Sequence, residues 1–231
     1  MEFSATDLLA HFYALLWPML RISALLVAAP IFSLRAVNLR IRIVLALSIT
    51  WLVYPLHVWP EIDPLSAQGL LEIGNQLMIG LLMGLMLQVV TSAILIAGQS
   101  IANAIGLSMA TMIDPNMGNV PLISQFLTIL GTLVFLGMGG HLVVFGLVLE
   151  SFRILPIGQE FFSQDMLGKM LHWSSMMFLG ALLLALPVLM TLLFINIGLG
   201  VVTRASPSLN IFSLGFPAMI FAGLLVLTFS L

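Results

Sequence analysis

The chain has 231 residues, of which 61% are hydrophobic and only 7% charged, with a mean hydropathy of +1.20. Soluble chains carry about 25% charged residues, so an ordinary soluble domain is excluded and an integral membrane or membrane-assembled protein is expected. A net charge of −2 gives no support to nucleic-acid binding, and zero cysteines removes disulfides, thiolate catalysis and thiolate metal sites together.

Six long apolar runs follow one another. The start, M-E-F-S-A-T-D, is acidic where a signal peptide needs Lys or Arg, and no small-residue cleavage site follows, so the first run is expected to be retained. That run, Leu8–Ile31, opens at Thr6-Asp7 and is read as interrupted at Pro18 and Pro30. Arg21 lies inside it. A charge at that depth either pairs within a protein interior or snorkels past the Pro18 break, and the sequence leaves both readings open.

The connector S-L-R-A-V-N-L-R-I-R holds Arg35, Arg40 and Arg42, which the positive-inside rule places on the cytoplasmic side. The second run, Ile43–Val58, ends among Trp51, Tyr54 and Trp59, residues suited to an interfacial belt, with His57 read as an interfacial hydrogen-bonding group rather than a metal ligand. The acidic stretch Glu61–Pro64 then falls on the opposite side. The third run spans Leu70 to about Gly98 and continues weakly to Ile105. Its Gly80/Gly84 pair permits close helix approach, and Glu72 is expected at the membrane interface. Gln88, Ser92, Gln99 and Asn103 put more amide and hydroxyl chemistry on this run than a lipid-facing helix carries, so it is expected to pack on other chains or line a cavity.

Gly106–Leu122 (G-L-S-M-A-T-M-I-D-P-N-M-G-N-V-P-L) cannot continue the helices on either side. Pro115 and Pro121 lack the amide proton and bias Asp114 and Val120 away from helical angles, while Asn116, Gly118 and Asn119 supply turn chemistry. The stretch is nonetheless apolar. Met109, Met112, Ile113 and Met117 are bulky and adaptable, and Asp114 is its single charge. Such a segment is either a deformable plug or lining of a cavity, or a short re-entrant connector, and the ordinary behaviour of loops favours the connector.

The fourth run, Ile123–Leu149, contains G-M-G-G-H, whose His141 has no partner at metal-ligand spacing and reads as structural. Glu150–Leu171 is the longest polar connector. Its Glu150/Arg153 spacing allows a local ion pair of little net value, and Phe161-Phe162 suits a surface-lying segment. The fifth run, His172–Val202, is expected to break at Pro187. The sixth, Ile211–Leu231, opens with F-S-L-G-F-P, where Gly215, Phe216 and Pro217 mark a bend and a packing point. No H-E-x-x-H, P-loop, G-x-S-x-G or carboxylate pair occurs, so an enzyme is not expected, and no cofactor or metal is called for.

The ordered set W-P-M-L-R-I-S-A-L-L-V-A-A-P-I-F (Trp17–Phe32), D-P-N-M-G-N-V-P (Asp114–Pro121), G-G-H-L (Gly139–Leu142), L-P-I-G (Leu155–Gly158), L-A-L-P-V (Leu184–Val188) and P-S-L-N-I-F-S-L-G-F-P (Pro207–Pro217) resembles the FliR family. These are flagellar export-gate proteins, akin to the T-type subunit of virulence type III secretion. Each motif is short and apolar; their order is what makes the match specific. The resemblance implies an all-α polytopic protein of helical hairpins, one copy of which joins P-type and Q-type subunits in a helically wound gate in the bacterial inner membrane. It implies that residues 1–149 are P-type-like and 150–231 Q-type-like. B-type and A-type export proteins are implied as further partners and secreted flagellar proteins as cargo. Many apolar helices would then be buried in the assembly rather than span lipid. It also implies a tail beyond Leu231, and it turns the reading of Gly106–Leu122 from connector to pore plug.

A small-solute secondary transporter is the alternative. It calls for an inverted repeat and buried acidic coupling residues, neither of which the sequence displays. By charge alone, the N-terminus lies outside, Arg35–Arg42 inside, Glu61/Asp63 outside, and the Asp114 loop and Arg204 inside.

Overall fold

The computed structural model describes residues 5–32, 37–57, 59–60, 62–106, 121–159, 164–205 and 211–230. Every regular element among them is helical: α1 (Ala5–Ala28), α2 (Leu39–Val53) continued by a 3₁₀ turn (Tyr54–Leu56), α3 (Ala67–Ile105), α4 (Leu122–Gly137), α5 (Gly140–Ile154), α6 (Gln164–Ala205) and α7 (Ile211–Ser230). Four helical segments are long and apolar enough to cross a membrane: His11–Ala28, Leu39–Leu56, Ala67–Ile105 and Gly168–Ala205. The α4–α5 pair makes a fifth if counted as one bent span. The chain is therefore an all-α polytopic membrane protein.

Three expectations change at the level of elements. The fourth apolar run is two helices bent by 67° at Met138. Gly139, at the N-terminal end of α5, has φ +75°, a left-handed conformation that glycine adopts without steric cost. His141 thus sits in the first turn of α5. The prolines behave oppositely. Pro18, Pro187 and Pro217 lie inside α1, α6 and α7, which run on through them, Gly215 included, and Pro30 falls just past the end of α1. A proline removes one backbone bond, and in an apolar setting the rest of the ladder has no water to exchange for, so the helix persists. The polar connector is also shorter than expected, because Glu150–Ile154 belongs to α5 and α6 begins at Gln164.

The chain forms two compact units, Met1–Val89 with Phe135–Ser174, and Val90–Val134 with Ser175–Leu231. In the first, Ile22, Leu25 and Leu26 of α1 and Ala29 just past its end pack with Ala46 and Val53 of α2 and with Val144, Val148 and Phe152 of α5. α3 enters this unit through a local start signal. The Asp63 carboxylate accepts from Leu65 N (3.0 Å), and the Ser66 hydroxyl accepts from Gly69 N (3.0 Å), capping the first turn. In the second unit, Ala97, Ile101, Ala102 and Ile105 of α3 pack with Ile123 and Leu127 of α4, Ala181 to Leu192 of α6 and Leu227 of α7.

Candidate functional site: a loop anchorage and a buried arginine network

The segment 107–120, which carries Met109, Met112, Ile113, Asp114, Pro115, Met117 and Gly118, lies outside the described residues; its two feet do not. α3 closes at Gly106, whose N–H donates to the Asn103 carbonyl (3.1 Å) and whose φ of +91° turns the chain out of the helix. α4 opens after Pro121, whose carbonyl accepts from Gln125 N (3.1 Å). Proline is well placed there, since the start of a helix asks nothing of its missing amide. The feet are fixed to one core: Ile105 is 0% exposed and Ile123 6%, in the same cluster. Gly98 brings the helices together, because a Cβ there would stand 2.5 Å from Ser124 Cα. The Ser124 hydroxyl is fully buried at this crossing and has no hydrogen-bond partner.

The four polar residues singled out on α3 fall at spacings of four, seven and four. At about 100° per residue, that puts Gln88, Ser92, Gln99 and Asn103 on one arc of roughly 60°. Gln88 and Asn103 are exposed, and Ser92 and Gln99 half-buried. Ser100, by contrast, satisfies its hydroxyl on the Ile96 carbonyl (2.9 Å) of its own helix.

The first unit contains a polar cluster of which only fragments are legible in the sequence. Arg21 is 0% exposed. Its Nε donates to Gln76 Oε1 (2.7 Å), Nη1 to Ser151 Oγ (3.0 Å) and Nη2 to the Leu155 carbonyl (2.8 Å), while its Cζ stands 4.2 Å from the centroid of the Phe152 ring. Gln76 in turn donates from Nε2 to Glu72 Oε1 (2.5 Å), and Asn75 Nδ2 donates to Glu72 Oε2 (3.3 Å). Glu72 is 4% exposed, so its carboxylate is held inside the protein. Of the two readings of Arg21, the paired one holds and snorkelling does not. α1 comes close enough to α3 for this because of the Gly80/Gly84 pair: a Cβ at Gly80 would overlap the Arg21 carbonyl oxygen, and one at Gly84 the Ala28 side chain. Pro18 is buried in α1, Gly215 is buried in α7, and Pro187 and Pro217 are exposed. Phe216 lies between Gly215 and Pro217 in α7.

The signal for the network was the i, i+4 pair Glu72/Gln76, two polar groups on one face of an apolar helix. Its other members, Ser151 and Leu155, stand 130 and 134 residues from Arg21. The Glu150–Arg153 pair forms as expected at 3.5 Å and is solvent-exposed. Among the described residues no group of three His, Asp or Glu side chains could hold a metal ion.

Against known proteins, residues 12–231 match the family described as bacterial export proteins, family 1. The chain is 35% identical over 228 residues to the flagellar biosynthetic protein FliR of Pectobacterium carotovorum subsp. carotovorum, covering 98% of this chain and 87% of that protein. It is 35% identical over 209 residues to the protein of the same name from Escherichia coli (strain K12), covering 90% and 80%. For that of Bacillus subtilis (strain 168), identity is 30% over 220 residues, covering 94% and 85%. With residues 12–231 matched and relatives 30–35% identical over most of their length, the chain belongs to the FliR family of bacterial export proteins.

Proposed function

We propose that this chain is a subunit of the flagellar type III protein export gate in the bacterial inner membrane, at the base of the basal body, and that its Gly106–Leu122 loop plugs the secretion path. One copy would assemble with P-type and Q-type subunits, next to B-type and A-type export proteins, and secreted flagellar proteins would be the cargo. The division into a P-type-like part, 1–149, and a Q-type-like part, 150–231, belongs to the same reading.

The observation that supports it best is the anchorage of the loop. An apolar, methionine-rich stretch of sequence joins two helix ends held at one buried crossing, Gly98 against Ser124 and Ile105 with Ile123. A plug needs such feet, because it must return to one place after each passage, and sites carried on rigid elements hold position better than free loops. Bulky apolar groups close a pore by dewetting it, so ions are blocked without any charge, and methionine repacks readily after a polypeptide has pushed through. The polar arc Gln88, Ser92, Gln99, Asn103 supplies a face for neighbouring subunits.

The buried Glu72 favours the transporter alternative on one count, since coupling acids lie inside membrane carriers. It is, however, bonded to Gln76 and Asn75 and linked through Gln76 to Arg21, a satisfied arrangement rather than an open proton or ion site.

Deleting Thr111–Asn119 tests the plug. The gate is expected to assemble with its usual subunits but to leak ions across the membrane. Single Met→Ala changes at Met109, Met112 or Met117 should leak less, because neighbouring side chains close over one lost group. Normal assembly with conductance at the closed baseline would show the loop to be only a connector.

A further inference from the structure

α2 has an inward and an outward face. Ala46, Thr50 and Val53 turn inward and are buried. Arg40, Val44, Leu47 and Trp51 recur at steps of four, three and four, which at about 100° per residue sets them in one ridge on the outward side. All four are exposed, Trp51 to 75%. Ser48, next to the ridge, donates its hydroxyl to the Val44 carbonyl (2.8 Å), so its donor is satisfied within α2. The ridge therefore reads as a guanidinium followed by bare apolar surface. From Arg40 to Trp51 the helix rises about 17 Å, close to half of the roughly 30 Å hydrocarbon core. Arg35, Arg40 and Arg42 concentrate positive charge at the end where the ridge begins.

We propose that this ridge binds an anionic phospholipid of the cytoplasmic leaflet, its headgroup on Arg40 and an acyl chain along Val44 and Leu47 to Trp51. The proposal rests on α2 crossing the membrane and not on the plug. Three features select a lipid over a protein neighbour. The first is length: α2 with its 3₁₀ turn is apolar over 18 residues, Leu39–Leu56, which fits a bilayer, whereas α3 and α6 have 39 and 42 residues and overshoot it. The second is order along the ridge. One charge and then a leaflet's depth of apolar surface is the pattern of an amphiphile, while the amides and hydroxyls on α3 are what a protein neighbour would meet. The third is sign. A guanidinium pairs with phosphate through two parallel hydrogen bonds, its long stem reaches headgroup level, and among the described residues no ion pair engages Arg40. An anionic headgroup keeps its full attraction for Arg40, whereas a zwitterionic one brings its own cation.

The test uses the full chain with the subunits that co-purify with it, in phosphatidylcholine vesicles holding a minor share of phosphatidylglycerol brominated in its acyl chains. Bromine quenches indole fluorescence on contact, and the difference between the native chain and Trp51→Phe isolates Trp51 from every other tryptophan. Trp51 should be quenched as if the brominated phosphatidylglycerol stood at about five times its bulk share, the preference that one arginine near an anionic headgroup confers. Brominated phosphatidylcholine at the same share should quench only in proportion to its bulk share. Arg40→Gln should bring the phosphatidylglycerol signal down to that level. Vesicles made wholly of brominated phosphatidylcholine should quench this variant as they do the native chain, with α2 still seated in lipid. Quenching of Trp51 by neither lipid would mean that protein covers the ridge. Equal quenching by both, or a preference that survives Arg40→Gln, would mean that Arg40 holds no headgroup. Each of these outcomes overturns the proposal.

Discussion

The Arg21 guanidinium reaches the Glu72 carboxylate only through the Gln76 amide, and its other two bonds go to Ser151 of α5 and to the Leu155 carbonyl at the end of that helix. A charge fully removed from water is tolerated only when its donors are matched; here Gln76, Ser151 and the Leu155 carbonyl match them and Phe152 offers its ring face. Arg21→Met is therefore expected to cost about 3–5 kcal/mol, the price of leaving a buried partner uncompensated. Arg21→Lys should recover little, since one ammonium cannot reproduce bonds that leave the guanidinium in three directions. The double change Arg21→Met with Glu72→Leu should cost less than the sum of the two single changes, because neither charge is then stranded. Denaturation of the detergent-solubilised complex measures all three, and strict additivity would show that Arg21 and Glu72 act independently. The sequence offered both options for Arg21 and could not choose, because a hydrogen bond to Ser151 crosses 130 residues and leaves no local trace.

Among the elements, the six apolar runs were legible because hydropathy is a property of the chain itself. The breaks were less so. Proline marks a lost hydrogen bond, but whether the helix ends depends on its surroundings, and α1, α6 and α7 continue through Pro18, Pro187 and Pro217. Gly137-Met138-Gly139-Gly140 hides a 67° bend within apolar sequence, where glycine signals packing as readily as turning. The feet of the loop were half legible. Gly106 and Pro121 ended the runs as expected, but the crossing of Gly98 with Ser124 has no signature beyond small residues. It is testable by contrast. Gly98→Ala presses a methyl group onto the Ser124 backbone, and overpacking of this kind costs about 1–3 kcal/mol. Gly74→Ala, where nothing of the chain stands within 4 Å, should gain about 0.5–1 kcal/mol from helix propensity. If the crossing sets the loop, Gly98→Ala also raises ion leak while Gly74→Ala does not. Equal effects of the two on stability and conductance would detach the loop from its feet.

For the molecule as a whole, helix length constrains how much of the chain lies in lipid. α2 with its 3₁₀ turn is apolar over 18 residues, Leu39–Leu56, about 27 Å of helix at 1.5 Å per residue, close to the roughly 30 Å hydrocarbon core. α3 has 39 residues and α6 has 42, about 58 and 63 Å of helix. Confining either to the hydrocarbon core would need a tilt near 60°, beyond the range of about 0–40° seen for membrane helices. A large part of each must therefore lie outside lipid, although apolar side chains such as Phe178, Leu182, Phe194 and Ile197 are exposed along α6. On the export-gate proposal, other subunits cover what lipid does not. α2 is then the place to ask whether charge reads the topology correctly. Cysteine at Asn38, whose side chain makes no capping bond, and at Leu65, which is 82% exposed, bracket that helix. The arginine-rich connector predicts that Asn38→Cys reacts with an impermeant reagent from the cytoplasmic side only, and Leu65→Cys from the opposite side only. Reaction of both from one side would mean that α2 does not cross, and that protein rather than bilayer covers Leu47, Trp51 and Leu52 on its exposed face.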